Sequence, residues 1–233
     1  MIDPRTREHW AEAFADLGAR FDEYFAPMAG RRGWWPDPER GTGPALARAR
    51  SLADPRRAVD DDAWLSETYA ALRKWQAFRG PAGGVSERRF RRSIARTEPH
   101  LPRLRGVRID EIEPSELPRL FELFRSLEDL KPSRAKWVSI SKTLYHLLPE
   151  LVTPMDKVIT ARFLGGSTLP TGLDEDFFVT LYGHLSEVAR SVGGSRLDEL
   201  GLDPTIEDPA RRHAMRIGRA RVIDFAMAGK LGI

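Results

Sequence analysis

A chain of 233 residues that is 41% hydrophobic and 30% charged can bury a substantial core, as one large domain or two small ones. It has no cysteine, which excludes disulfides, thiolate zinc sites and cysteine-ligated iron–sulfur clusters, and its five histidines show no HxH or HxxxH spacing, so no metal or other cofactor is expected. The 37 basic residues exceed the 34 acidic ones by only three, and no apolar run reaches membrane-spanning length or resembles a secretory leader, so the expectation is a cytoplasmic monomer.

Taken in order, the chain reads as helices separated by proline- and glycine-rich turns. Asp3 followed by Pro4 is a helix-start signal, and Trp10, Phe14, Leu17, Phe21 and Phe25 then recur at three- and four-residue steps, predicting one amphipathic helix that ends before Pro27. The segment 30–44 breaks the pattern and carries Trp34 and Trp35 side by side. Aromatics in a loop either dock on a core or stack on a ligand, and docking is the simpler reading. A short helix is predicted after Pro44. Asp60 to Asp62 open another, with Trp64, Leu65, Tyr69, Leu72, Trp75 and Phe78 as its apolar stripe.

The glycine-rich run 80–84 is the best hinge, dividing residues 1–80, an N-terminal helical layer, from residues 81–233, or joining them as one continuous domain. Ser86 caps an arginine-rich helix ending near Pro99, and 107–112 is an extended connection. Pro114 opens a helix with Pro118 in its first turn. Leu173 to Val192 forms a long helix stopped by Gly193-Gly194, and Pro209 begins a final basic one. The fold class is all-α, a multi-helix orthogonal bundle.

Arginines cluster at Arg88, Arg89, Arg91, Arg92 and Arg96, and again at Arg211, Arg212, Arg216, Arg219 and Arg221, while acids gather elsewhere. Each cluster is either a phosphate-binding face or an ordinary solvated helix surface.

The run 131–165 places Lys142 on one apolar segment and Asp156, fourteen residues on, at the head of the next, with Pro149 and Pro154 between. A turn there brings the carboxylate back to the amine at the mouth of a cleft. Burial lowers the amine's pKa and makes it a better nucleophile, whereas the carboxylate acts in the opposite sense. The simpler reading of the residues alone makes Asp156 an N-cap and Lys142 the solvent side of an amphipathic helix.

The run 138–165, with Lys142-Thr143, Pro154, Asp156, Val158 and Arg162, resembles the signature of the helix-hairpin-helix DNA glycosylases over about an eighth of the chain. The resemblance implies a DNA glycosylase with abasic-site lyase activity, acting on double-stranded DNA in repair or in attack on modified phage DNA. Lys142 then stands at the catalytic lysine and Asp156 at the catalytic aspartate. Ser139 and Ser141 stand where the family's hairpin glycines hold a DNA phosphate. Arg162, Arg88, Arg89 and Arg92 are the remaining DNA contacts. Trp137, Trp34, Trp35, Tyr145 and His146 are candidates to stack on an extruded base or shuttle a proton. The competing reading is a helical nucleic-acid-binding or interaction protein without chemistry.

Overall fold

The computed structural model describes residues 2–29, 31, 42–52, 54–78, 84–130, 136–166 and 168–233. Among these the secondary structure is entirely helical, with no strand. The α-helices are α1 (Pro4–Ala19), α2 (Phe21–Ala29), α3 (Thr42–Ser51), α4 (Pro55–Val59), α5 (Asp62–Lys74), α6 (Glu87–Ala95), α7 (Leu117–Ser126), α8 (Lys136–Leu147), α9 (Ile159–Phe163), α10 (Glu175–Val192), α11 (Gly194–Leu200), α12 (Pro209–Ala214) and α13 (Arg219–Lys230). The all-α expectation therefore holds, and among the described residues no helix is long and apolar enough to cross a membrane. Trp34, Trp35, the 80–83 part of the expected hinge and the expected Lys131–Ser133 cap lie outside the described residues.

Caps behave as the sequence implies. Asp3, Asp61, Ser86 and Asp174 accept backbone N–H groups at the starts of α1, α5, α6 and α10. Three lengths differ. The first helix breaks at Arg20, and α2 continues through Pro27 to Ala29, carrying Phe25 onto Phe225 of α13. The final basic helix is two, α12 and α13, separated by Met215 to Gly218. The connection 107–112 is a turn, closed by the Ile112 and Glu111 N–H groups on the Arg108 carbonyl, not an extended run.

The helices share one hydrophobic core that draws on both sides of the 80–84 run, from Trp10 of α1 to Ala228 of α13. α1 packs on α10, α2 on α13 and α3 on α5. Gly229 permits the α2–α13 approach, because a Cβ there would sit 1.7 Å from the Tyr24 carbonyl oxygen. At the centre lies α8, wrapped on nearly every side, so that its residues from Ser139 to Leu147 are all buried. Two of its polar side chains bond to carbonyls inside the protein. Ser139 donates to the Ala77 carbonyl at 2.7 Å, and Thr143 donates to the Ser139 carbonyl at 2.7 Å.

Candidate active site

Lys142 occupies the middle of α8, and two turns of chain bring Asp156 back to it. After Leu147 the helix closes with Leu148, and a tight turn through Pro149 and Glu150 reverses direction, the Leu151 and Val152 N–H groups both bonding to the Leu148 carbonyl. The returning strand of chain is tied to α8 by one buried bond, the Met155 N–H donating to Ser141 Oγ at 2.9 Å. Asp156 follows, locked by its surroundings. Its N–H donates to Thr160 Oγ1 at 3.0 Å, and its Oδ1 accepts the Val158 N–H at 2.8 Å. The other oxygen, Oδ2, accepts a hydrogen bond from Lys142 Nζ at 3.1 Å.

The two partners differ in exposure. The Lys142 side chain is 5% exposed and that of Asp156 34%. Burial drives the lysine pKa below its ordinary value and outweighs the upward pull of Asp156, with Arg221 adding to the depression. Burial also pushes the Asp156 carboxyl upward, but the Lys142 charge and the Val158 and Ile159 N–H groups outweigh it and hold the pKa below the ordinary range. The ammonium lies 4.6 Å from the centroid of the Trp75 ring.

The pair opens into a cleft of about 400 Å³, lined also by Trp75, Val158, Ile159 and Arg221. Val158, 50% exposed at the head of α9, is the one large exposed hydrophobic among the described residues. Arg221 packs 5.1 Å from the Trp75 ring centroid and 4.8 Å from that of Phe225, and pairs with Asp224 one helical turn on. Asp224 is fully buried, and its Oδ1 has no hydrogen-bond partner among the described residues. Burial, reinforced by Asp156, pushes its carboxyl up to about 6 against the pull of Arg221 and Lys142.

Trp75 reaches this cleft because α5 ends early. Gln76 adopts the left-handed conformation, φ 60°, and the Ala77 and Gln76 N–H groups bond to the Leu72 and Arg73 carbonyls, a Schellman closure with glutamine in the usual glycine position. The apolar stripe expected to continue along one helix to Phe78 is thereby turned, and Trp75 faces Lys142.

Other sequence-based candidates take different places. Residues 138–141 are helical, so no hairpin turn lies there, and Ser139 and Ser141 are fully buried with their hydroxyls committed inside the protein. They are not surface phosphate ligands. Trp137 is likewise buried, donating through Nε1 to the Gly172 carbonyl at 2.9 Å and packing on Phe177 and Phe178. Tyr145, 2% exposed, meets Trp75 edge-on at 6.1 Å. His146 is buried, its Nδ1 2.7 Å from the Lys142 carbonyl, and burial lowers its pKa to about 4, so it is a neutral packing group without a path to solvent. Arg162 is exposed on α9.

Arg88, Arg89, Arg92 and Arg96 surround an open recess of about 600 Å³ with Ser86 and Asp129. Arg89 donates to the Asp129 carbonyl and Arg96 to its carboxylate. The second arginine cluster is largely consumed by structure. Arg216 pairs with Glu150 and Asp198, and Arg219 with Asp110 and Asp198. Arg221 alone of that cluster lines the Lys142 cleft.

Sequence reasoning missed Trp75, Arg221 and Asp224 as members of the site. The available signal was the opposite-charge spacing of Arg221 and Asp224, three residues apart inside an apolar helix. No family model matches the chain, and neither curated proteins nor solved structures give a match.

Proposed function

We propose that the chain is a DNA N-glycosylase with abasic-site lyase activity. The observation that carries this reading is a pKa-depressed lysine amine 3.1 Å from a carboxylate at the wall of a cleft lined otherwise by Trp75, Val158, Ile159, Ile233 and one guanidinium, that of Arg221. The resemblance to the helix-hairpin-helix DNA glycosylases in the part from Lys142 through Pro154 and Asp156 to Arg162 supports the same assignment for Lys142 and Asp156; the hairpin itself is replaced here by the straight helix α8.

In the reaction a nucleotide turned out of the duplex enters the cleft past Val158. Lys142 first gives its ammonium proton to water, a loss that burial favours; the amine then attacks C1′, and the bond from C1′ to the base breaks, the base leaving with its electron pair. A proton from the new ammonium nitrogen passes to the departing base. Ionised Asp156 offsets the positive charge that grows on the sugar. Opening of the sugar ring, with O4′ taking a proton from water, leaves an iminium between Lys142 and C1′. Loss of a C2′ proton then expels the 3′ phosphate and cuts the strand. Trp75 places a ring face beside the cationic nitrogen. The α6 arginines grip the backbone outside the cleft.

The near-complete burial of the Lys142 side chain in an ion pair also suits a purely structural bridge, which favours, as second reading, a nucleic-acid-binding protein without chemistry. Borohydride reduction during incubation with abasic and modified duplexes separates the two. The lyase gives a covalent protein–DNA adduct that Lys142→Gln abolishes. The binder gives salt-sensitive DNA binding, no adduct, and no response to Lys142→Gln.

A further inference from the structure

Two cations share one aromatic ring at the cleft. Lys142 Nζ lies 4.6 Å and the Arg221 guanidinium carbon 5.1 Å from the centroid of Trp75, so the two charges stand no farther apart than the sum of these distances, about 10 Å. Their side chains are only 5% and 12% exposed, and water screens them from each other less than it screens charges on a surface. Arg221 is fixed in place by its ion pair with Asp224 and by the Phe225 ring 4.8 Å away, and Lys142 by its position in α8. A guanidinium stays charged whatever else it is bonded to.

The other neighbours of Lys142 act in the opposite sense. Asp156 accepts a bond from the ammonium at 3.1 Å, the face of Trp75 attracts a cation, and the Asp224 carboxylate adds a further attraction. All three hold the proton on the nitrogen, and a protonated lysine has no lone pair with which to attack. His146, one turn on along α8, is neutral. Of the charged groups that face the amine, Asp156 before α9 and Arg221 and Asp224 on α13, only the guanidinium repels the ammonium.

We infer that Arg221 is a positioning residue for the Lys142 nucleophile: standing over the ring that the amine also faces, it opposes Asp156 and Trp75 and lets the amine give up its proton. A cationic neighbour is one of the ways in which a buried lysine is made nucleophilic. The inference concerns the state of the amine, and its consequence for catalysis rests on the glycosylase reading above.

The test uses the whole protein, first without DNA. Trace acetylation by limiting acetic anhydride, followed by peptide mapping, reads the unprotonated fraction of Lys142 against pH, with the other lysines as internal reference. Arg221→Gln removes the charge and Arg221→Lys keeps one. Arg221→Gln combined with Asp224→Asn leaves a neutral pair of amides in the core, so that a charge-free protein is tested even if the single variant does not fold. The expected result is labelling of Lys142 at pH 7 that falls about 3- to 10-fold in Arg221→Gln, by no more than that in the double variant, and little in Arg221→Lys. The rising limb of the profile should move to higher pH in the first two, and to lower pH in Asp224→Asn alone, which removes an attraction. Profiles that coincide for wild type and the charge-removing variants, or a wild-type Lys142 that stays unlabelled at every pH, overturn the inference. Borohydride trapping on an abasic duplex over the same pH range separates the two readings. Labelling as expected with no adduct from any protein removes the glycosylase reading and leaves the effect of Arg221 on the amine standing, whereas adducts with an unshifted profile do the reverse.

Discussion

Ser141 Oγ accepts the Met155 N–H at 2.9 Å, one residue before each member of the Lys142–Asp156 pair. The two bonds run side by side between α8 and the returning chain, so the buried one sets the spacing of the Lys142–Asp156 bond. Ser141→Ala leaves the Met155 N–H buried without an acceptor, which costs about 1–3 kcal/mol. Chemical denaturation should show that loss, together with a lower yield of trapped adduct per folded molecule. Unchanged stability would mean that the bond does not hold the chain.

The pair is asymmetric in burial, and substitutions should reveal it. Asp156→Ala strands a nearly inaccessible ammonium, and stability at neutral pH should fall by about 3 kcal/mol, the low end of the range for broken buried pairs because the carboxylate is partly solvated. Lys142→Met leaves only a carboxylate that water reaches, fills the space with an apolar chain of similar length, and should be neutral or stabilising. Equal losses in the two variants, measured by urea titration, would contradict the burial pattern.

The effect of pH on stability depends on two buried groups that act in opposite directions. Asp224 is raised from 3.8 to about 6, so on acidification the folded state takes up this proton before the unfolded state does, and stability rises. His146 is lowered from 6.5 to about 4, so the unfolded state takes up its proton first, and stability falls over nearly the same window. The charges facing Asp224 are Arg221 on its own helix, Lys142 on α8 and Asp156 before α9. Asp224→Asn removes the compensating group and keeps a hydrogen-bonding partner for Arg221. Its stability should drop between pH 6.5 and 4 more steeply than that of the wild type, by about 3 kcal/mol across the window. Parallel pH profiles for the two proteins would rule out a raised Asp224.

Much of this arrangement was legible in the chain, because capping and helical periodicity are local. Asp3, Asp61 and Ser86 open helices as read, and the fourteen-residue spacing of Lys142 and Asp156 does close on itself. What was not legible depends on distant packing. Ser139 and Ser141 look like phosphate ligands beside a lysine until α8 is seen to be wrapped on nearly all sides, which turns their hydroxyls inward. Trp75 is aimed by a left-handed glutamine, a conformation seldom expected of that residue. Arg221 looks like one of five arginines on a basic terminus, yet two of its neighbours are consumed by Asp110, Asp198 and Glu150, interactions formed by segments far apart in sequence.

The α6 recess gives a binding prediction independent of the chemistry. Arg88 and Arg92 are exposed beside it. If both meet backbone phosphates, Arg88→Gln with Arg92→Gln should lower the slope of log affinity against log salt by about 1–2, uniformly across DNA sequences. An unchanged slope in a fluorescence-anisotropy titration would place the DNA elsewhere.

The central claim is that the Lys142 amine is a nucleophile, and the most direct measurement is peptide mapping by mass spectrometry after borohydride reduction on an abasic duplex. The expected result is a sugar remnant on Lys142 and no adduct in Lys142→Gln. A wild-type protein that forms no adduct, or an adduct that persists in Lys142→Gln and maps to another amine, would contradict it.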